Sequence, residues 1–301
     1  MIFLNNSLTS KITLFFTAAI LSVSALAADF NQTQHLAVQG DAKAQFNLGI
    51  LYGEGLGVRQ DYAKAAEWYQ KAASQGYAKA QFNLGNAYGN GKGVRQNFSK
   101  AAEWYQKAAS QGDAKAQFNL GLMYDTGEGV RQDSSKAVEW YKKAASQGDA
   151  KAQINIGFAY YKGEGVRQNY AKAFEWYQKA ANQGDADAQY NLGVMYNKGE
   201  GVHQDYAKAA EWYKKSASQG DADAQFDLGL KYATDKGVRQ DYAKAAEWFE
   251  KAADQGDTDA QYNLGVMYDN GQGVHQNDTT AKEWFGKSCN NGLQDGCNKY
   301  Q

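Results

Sequence analysis

Proline is missing altogether from this 301-residue chain, and cysteine occurs only twice. At an average usage near 5%, about 15 prolines would be expected, so their absence is informative. Proline breaks helix interiors, and a chain without it is free to be helical for most of its length. Collagen, which needs proline and a glycine at every third position, is excluded. So is a disulfide-dense scaffold, which needs many more cysteines. Charge of either sign is also lacking in excess: 32 basic residues face 33 acidic ones, for a net charge of −1. That balance gives no pull toward nucleic acid or an anionic membrane surface, and no nucleic-acid partner is expected. What is present is aromatic and flexible at once, with 14% aromatic residues, seven tryptophans and 32 glycines. Such aromatic content at so little net charge excludes intrinsic disorder. The length taken alone suggests about two domains.

The first 27 residues have the pattern of an export signal. Lys11 is the sole charged side chain before Asp29, and the apolar stretch Ile12 to Leu26 follows it. Ala25-Leu26-Ala27 then offers the small residues of a cleavage site. The stretch is short for a membrane-spanning helix, and Ser22 and Ser24 interrupt it. Cleavage after Ala27 is expected, giving an exported chain, periplasmic or secreted, with no membrane span left and with cysteines free to oxidise.

A fixed period organises the rest. Trp68, Trp104, Trp140, Trp176, Trp212, Trp248 and Trp284 are spaced 36 residues apart, and Gly49 and Gly76 recur on the same step. Seven units therefore cover 41–292 without insertion or deletion, flanked by a cap over 28–40 and another over 293–301. The array replaces the two-domain reading. Each unit reads as two helices. In the first, Ala44, Phe46 or Leu48, and Tyr52 recur at helical spacing behind the N-cap Asp41. In the second, Tyr62, Ala65, Ala66, Tyr69, Ala72 and Ala73 form an apolar stripe behind Asp61, and Gly76 ends the helix. The capping position of the second helix is always Asp or Asn: Asp61, Asn97, Asp133, Asn169, Asp205, Asp241 and Asn277. A glycine in mid-helix costs about 1 kcal/mol against alanine. Its repetition at Gly49 points to close approach of the second helix, expected at Ala65 or Ala66. One helix pair cannot bury its own apolar face, but a stack of seven can.

The string A-x-x-x-L-G-x-x-Y, then G-x-G-V, then A-x-x-W-x-x-K-A-A resembles the Sel-one-like repeat, a relative of the tetratricopeptide superhelix. The resemblance implies an all-α, right-handed superhelical solenoid of seven helix-pair repeats. Two departures, Tyr77 at a first-helix cap and Asp235 at a loop glycine, place those two turns in question. The resemblance also implies function: an exported scaffold without catalytic activity, binding protein or peptide partners on the concave face as a monomer. The alternative is a member of the family's cysteine-rich branch that binds or hydrolyses β-lactams. The sequence holds no S-x-x-K, S-D-N or K-T-G to perform that chemistry. A bridge between Cys289 and Cys297 would tie the terminal cap to the last repeat; their spacing resembles the intra-repeat disulfides of that same branch. Without a C-x-x-C motif or a zinc quartet, no metal and no cofactor is expected. His203 and His275 stand where other copies carry a loop arginine. The Gly-x-Gly loops lack the strand and the G-K-[ST] of a phosphate site. The Trp and Tyr ladder has the spacing of core.

Candidate binding residues come from comparing the copies. Positions such as Leu48, Gly49, Tyr52, Val58 and Trp68 barely change, so packing sets them. The positions of Ile50 and Gly53 change in nearly every copy. In the resembling superhelix the first helices line the groove, where an asparagine and a lysine four residues earlier can clamp a peptide carboxylate. Here the asparagines are Asn47, Asn83, Asn119, Asn155, Asn191 and Asn263, with Asp227 the exception. The lysines are Lys43, Lys79, Lys115 and Lys151, and the position then switches to Asp187, Asp223 and Asp259. The expectation is a face basic toward the N-terminus and acidic toward the C-terminus. Solvated ion pairs between neighbouring helices are the alternative role for the same side chains.

Overall fold

Each unit becomes a helix hairpin because its two capping residues and two glycine stops act where the pattern puts them. The computed structural model describes residues 30–300, so the expected leader lies outside the described residues. The chain divides into two compact units, one ending at Asp149 and one beginning at Ala150. The division falls one residue after the start of the repeat unit that begins at Asp149.

The first unit holds a helical stretch over 30–38 (α1), then α2 (Ala42–Glu54), α3 (Tyr62–Ser74), α4 (Ala78–Asn90), α5 (Phe98–Ser110), α6 (Ala114–Thr126) and α7 (Ser134–Ser146). The second holds α8 (Ala150–Lys162), α9 (Tyr170–Asn182), α10 (Ala186–Lys198), α11 (Tyr206–Ala217), α12 (Ala222–Thr234), α13 (Tyr242–Asp254), α14 (Thr258–Asn270), α15 (Asp278–Asn290) and α16 (Gln294–Tyr300). No strand occurs among the described residues. Within each unit every helix packs on the next, first against its hairpin partner and then against the following copy. This is an α-solenoid architecture, and no helix of the described residues is long and apolar enough to cross a membrane.

The local chemistry follows the caps. Asp41 Oδ1 accepts from the Ala44 N–H at 2.6 Å, and Asp61 Oδ1 accepts from Lys64 N–H at 3.0 Å. At the end of α3 the Tyr77 N–H donates to the Ala72 carbonyl and the Gly76 N–H to Ala73, with Gly76 at φ 90°. Those two bonds close the helix and need the left-handed residue. The two suspect turns keep their shape. Tyr77 makes no side-chain cap, yet α4 still starts at Ala78, and the Tyr77 ring packs on Phe46 with centroids 5.2 Å apart. Asp235 adopts the left-handed conformation at φ 55°, and its side chain accepts from the Gln240 N–H at 3.0 Å.

The mid-helix glycine does have a packing cause, but the main contact is a ring and not an alanine. A Cβ added at Gly121 would stand 2.7 Å from two atoms of the Tyr141 ring, and one at Gly49 would meet Tyr69 before the Ala65 carbonyl. The second helix approaches so closely that only hydrogen fits beneath the aromatic ring. Around this contact lie the buried Ala65, Ala72, Ala80 and Leu84 of the first copies and their equivalents further on. The tryptophans stand at the rim of this core. Each is capped by the lysine three residues on, as with Lys71 Nζ 3.8 Å from the Trp68 ring centroid. A lysine-covered face is not a free stacking platform.

Buried glutamines join the copies. Gln81 Nε2 donates to the Ala73 carbonyl at 3.1 Å, and Gln111 Nε2 donates to Gln81 Oε1 at 2.8 Å. Sequence reasoning passed over these residues, yet Gln81 is a buried polar group satisfied by Ala73 of the preceding copy and, within its own copy, by the exposed Gln111. At the chain's end a disulfide links Cys289 and Cys297, with their Cα atoms 4.5 Å apart, so α16 is tied to α15.

Candidate functional site

The side chains left over after packing lie on the first helix of each copy. On α2, α4 and α6 the positions of Lys43, Lys79 and Lys115 are exposed, as is Lys151 on α8. All four sit in the first helical turn, where the N-terminal end of the helix dipole disfavours a cation. On α10, α12 and α14 the same position holds Asp187, Asp223 and Asp259, also exposed, where the dipole favours them. The acidic switch thus has a local reason; the lysines run against theirs.

The ion pairs among the described residues are Lys64–Asp61, Lys136–Asp133, Lys208–Asp205, Lys244–Asp241 and Lys299–Asp269. None of them includes a first-turn lysine or aspartate of the candidate face. In the second unit the acids gather. Burial, with the charges of Asp223 and Asp187 adding to it, pushes the Asp221 carboxyl above the usual carboxylate range. Burial does the same to Asp257, with Asp259 and Asp223 adding their repulsion. Asp227 is raised too, chiefly by burial, against hydrogen bonds from Tyr213 and Tyr190 that oppose it.

The asparagines are less available than the sequence suggests. Asn83 and Asn119 face the hydroxyls of Tyr69 and Tyr105 in the preceding copy, where burial raises the tyrosine pKa values and the amides oppose that rise. Asn191 Nδ2 donates to the Asp187 carbonyl at 2.8 Å, and Asn263 Nδ2 to that of Asp259 at 2.9 Å. Asn155 is half-buried and Asn47 exposed. Four of the six amides therefore already face groups of the protein itself, and what each has left for a ligand is its remaining donors or acceptors.

The two variable positions behave differently. Leu122 and Phe158 expose 42% and 45% of their surface, a large apolar side chain on each helix with no core to enter. Tyr161, by contrast, turns back onto the protein and donates its hydroxyl to Glu200 Oε2 at 2.7 Å. Lys231 is a further departure that sequence comparison missed. It takes a position held by leucine, alanine or methionine in the other copies, and it is only 6% exposed. Burial lowers its pKa, and Asp227, four residues before it, acts in the opposite direction. His203 and His275 are exposed on loops, and among the described residues no group of three or more His, Cys, Asp or Glu is placed to hold a metal ion.

The Sel1 repeat matches seven times in tandem, over 42–77, 78–113, 114–149, 150–185, 186–221, 222–257 and 258–293. The chain belongs to the Sel1 repeat family. The matched register lies one residue later than the period read from the tryptophans and glycines, and its boundary at 149 coincides with the division between the two compact units. Among solved structures, this Sel1 chain is similar to a protective antigen present in uropathogenic Escherichia coli strains that displays an SLR fold. Identity is 41% and the TM-score 0.86, over 89% of this chain and 57% of that one. The chain thus spans little more than half the length of that relative. It is also similar to a Sel1 repeat protein from Oxalobacter formigenes, at 36% identity and a TM-score of 0.75, over 92% of this chain and 80% of that one. None of the curated proteins compared with it matches.

Proposed function

We propose that this Sel1 chain is an exported, monomeric scaffold without catalytic activity that binds a protein or peptide partner on its first-helix face. The observation that carries this reading is the set of first-turn lysines. Lys79 and Lys115 are exposed, engage in no ion pair among the described residues, and oppose a helix dipole at a cost of about 0.3–1 kcal/mol each. Helix stability does not explain them, whereas acidic groups on a partner do. The exposed Leu122 supplies apolar contact on the same helix as Lys115. In the second unit, Asp187, Asp223 and Asp259 offer the opposite charge to basic segments, and Phe158 of α8 is an exposed apolar side chain on a first helix of the same unit. Export is supported by the Cys289–Cys297 disulfide, which fits an oxidising compartment, periplasmic or extracellular. The E. coli relative's description as a protective antigen fits the same placement.

The test is charge reversal. With a partner recovered by proximity labelling of the exported chain, the Lys79→Glu/Lys115→Glu variant should bind more weakly and with a smaller salt dependence. Unchanged affinity at low salt rejects the reading.

A further inference from the structure

In two places of the second unit the chain uses its own side chains to fill the space between neighbouring first helices. Tyr161 lies against the Tyr170 ring with centroids 5.2 Å apart, donates its hydroxyl to Glu200, and stands 3.4 Å from the Lys198 ammonium. One copy later, Lys231 lies over the Tyr206 ring at 4.6 Å and donates to Asn197. Tyr170 and Tyr206 are the same repeat position, the aromatic that opens the second helix.

In the first two copies that space is open. The equivalent of Tyr161 is Gly53, and the equivalent of Lys231 is Ala87, where copies three, five and seven bury Met123, Met195 and Met267. Two small residues coincide, and a cleft of about 560 Å³ results. Its floor is Ala65 and Ala66, its walls include Tyr62, Tyr69 and Asn86, and the exposed Glu54 and Lys92 also line it.

We propose that this cleft takes the side chain of a tyrosine from a partner peptide, in the place that Tyr161 fills within copies four and five. The ring packs edge-on against Tyr62, the exposed counterpart of Tyr170, because Lys92 Nζ already lies over the Tyr62 ring, 5.5 Å from its centroid. The hydroxyl meets a carboxylate and an ammonium, Glu54 and Lys92, the same two kinds of group that Tyr161 meets in Glu200 and Lys198, although the repeat equivalents of those two residues are Lys92 and Asn90. Asn86 accepts from the Tyr105 hydroxyl at 2.7 Å, which fixes its amide and leaves its N–H groups to donate to the partner's backbone. An aliphatic side chain would fill the floor but give the Glu54 carboxylate no donor, and a cationic one would meet Lys92. This inference rests on the first-helix face being the binding surface and adds a specific anchor to it.

The probe is N-acetyl-L-tyrosinamide, titrated into the purified full-length chain and followed by amide NMR shifts, with N-acetyl-L-leucinamide as the comparison. The tyrosine amide should produce saturable shifts at Gly53, Ala87 and the Asn86 side chain, with a dissociation constant on the order of 1 mM. Gly53→Tyr plugs the cleft from within. A Cβ at Gly53 meets nothing nearer than 3.6 Å, so this variant keeps its fold, and it should bind at least about tenfold more weakly. Absence of saturable shifts, equal binding of the leucine amide, or undiminished binding by Gly53→Tyr overturns the proposal. Its failure is separable from that of the binding face. Partner affinity that falls on Lys79→Glu/Lys115→Glu but ignores Gly53→Tyr rejects the anchor and keeps the face. A tyrosine amide that binds at Gly53, with partner affinity unmoved by charge reversal, keeps the anchor and rejects the face.

Discussion

The same substitution should change sign between two glycines that both lie in first helices. At Gly121, alanine adds a Cβ 2.7 Å from Tyr141 Cδ1 and Cε1 and 3.3 Å from the Ala137 carbonyl. The ring has nowhere to go: Tyr141 is 2% exposed and packs on Phe118 with centroids 5.8 Å apart. Overpacking of a fixed site costs about 1–3 kcal/mol, and with backbone and a buried ring both in the way the upper end applies. Alanine's better helix propensity returns about 1 kcal/mol. Gly121→Ala should therefore lose about 2 kcal/mol. At Gly53 the added Cβ has ordinary contacts of 3.6 and 3.7 Å, so only the propensity gain remains and Gly53→Ala should be stabilised by about 0.5–1 kcal/mol. Equilibrium urea denaturation followed by circular dichroism gives the comparison. Amide exchange in α6 and α7 locates the loss where the repeat opens. A Gly121→Ala protein as stable as the parent would refute the idea that the repeated glycine exists to admit the ring.

Three further outcomes follow from single positions. Ser216 is fully buried where most copies hold alanine, and its hydroxyl has no partner among the described residues; Ser216→Ala should raise stability by about 1 kcal/mol in a urea titration, while Ser288→Ala, which loses a 3.1 Å bond to the Thr258 carbonyl, should not. Asp227→Asn restores the residue of the other copies. Because burial raises the Asp227 carboxyl in the folded state, its ionisation weakens the fold above the ordinary carboxylate pKa and has no effect below it. The variant should be more stable than the parent at pH 7 and equal to it near pH 3. Lower stability at pH 7 would put the attraction of Lys231 ahead of desolvation. Reduction of Cys289–Cys297 releases a nine-residue loop and should cost about 2–3 kcal/mol, seen as faster amide exchange confined to α16 and the end of α15.

Sequence and structure agree where the signal is local and repeats. The 36-residue step, the Asp and Asn caps, and the glycines that stop each second helix all act through neighbours along the chain, so their roles were legible at once. Contacts between copies were harder to read. Gly49 and Tyr69 lie 20 residues apart on two helices, and which side chain meets the glycine depends on how those helices are rotated. Gln81 drew no notice in the sequence because glutamine is usually a surface residue, and only the stack buries and satisfies it. The asparagine row was visible, but the tyrosine hydroxyl that Asn83 faces belongs to the preceding copy, so that proximity was not. The cleft was half legible: Gly53 stood out as variable, whereas Ala87 on α4 and Lys92 in the loop after it matter only once that copy is laid beside α2 and α3.

The central claim is that the second helices build the stack while the first helices meet the partner. A photo-crosslinking amino acid at Leu122, on α6, and in a separate variant at Glu139, on α7, tests this directly, since both positions are exposed. Expressed in cells that export the chain, the Leu122 variant should capture a discrete protein partner and the Glu139 variant should capture none. Capture from Glu139 with none from Leu122 would contradict the account.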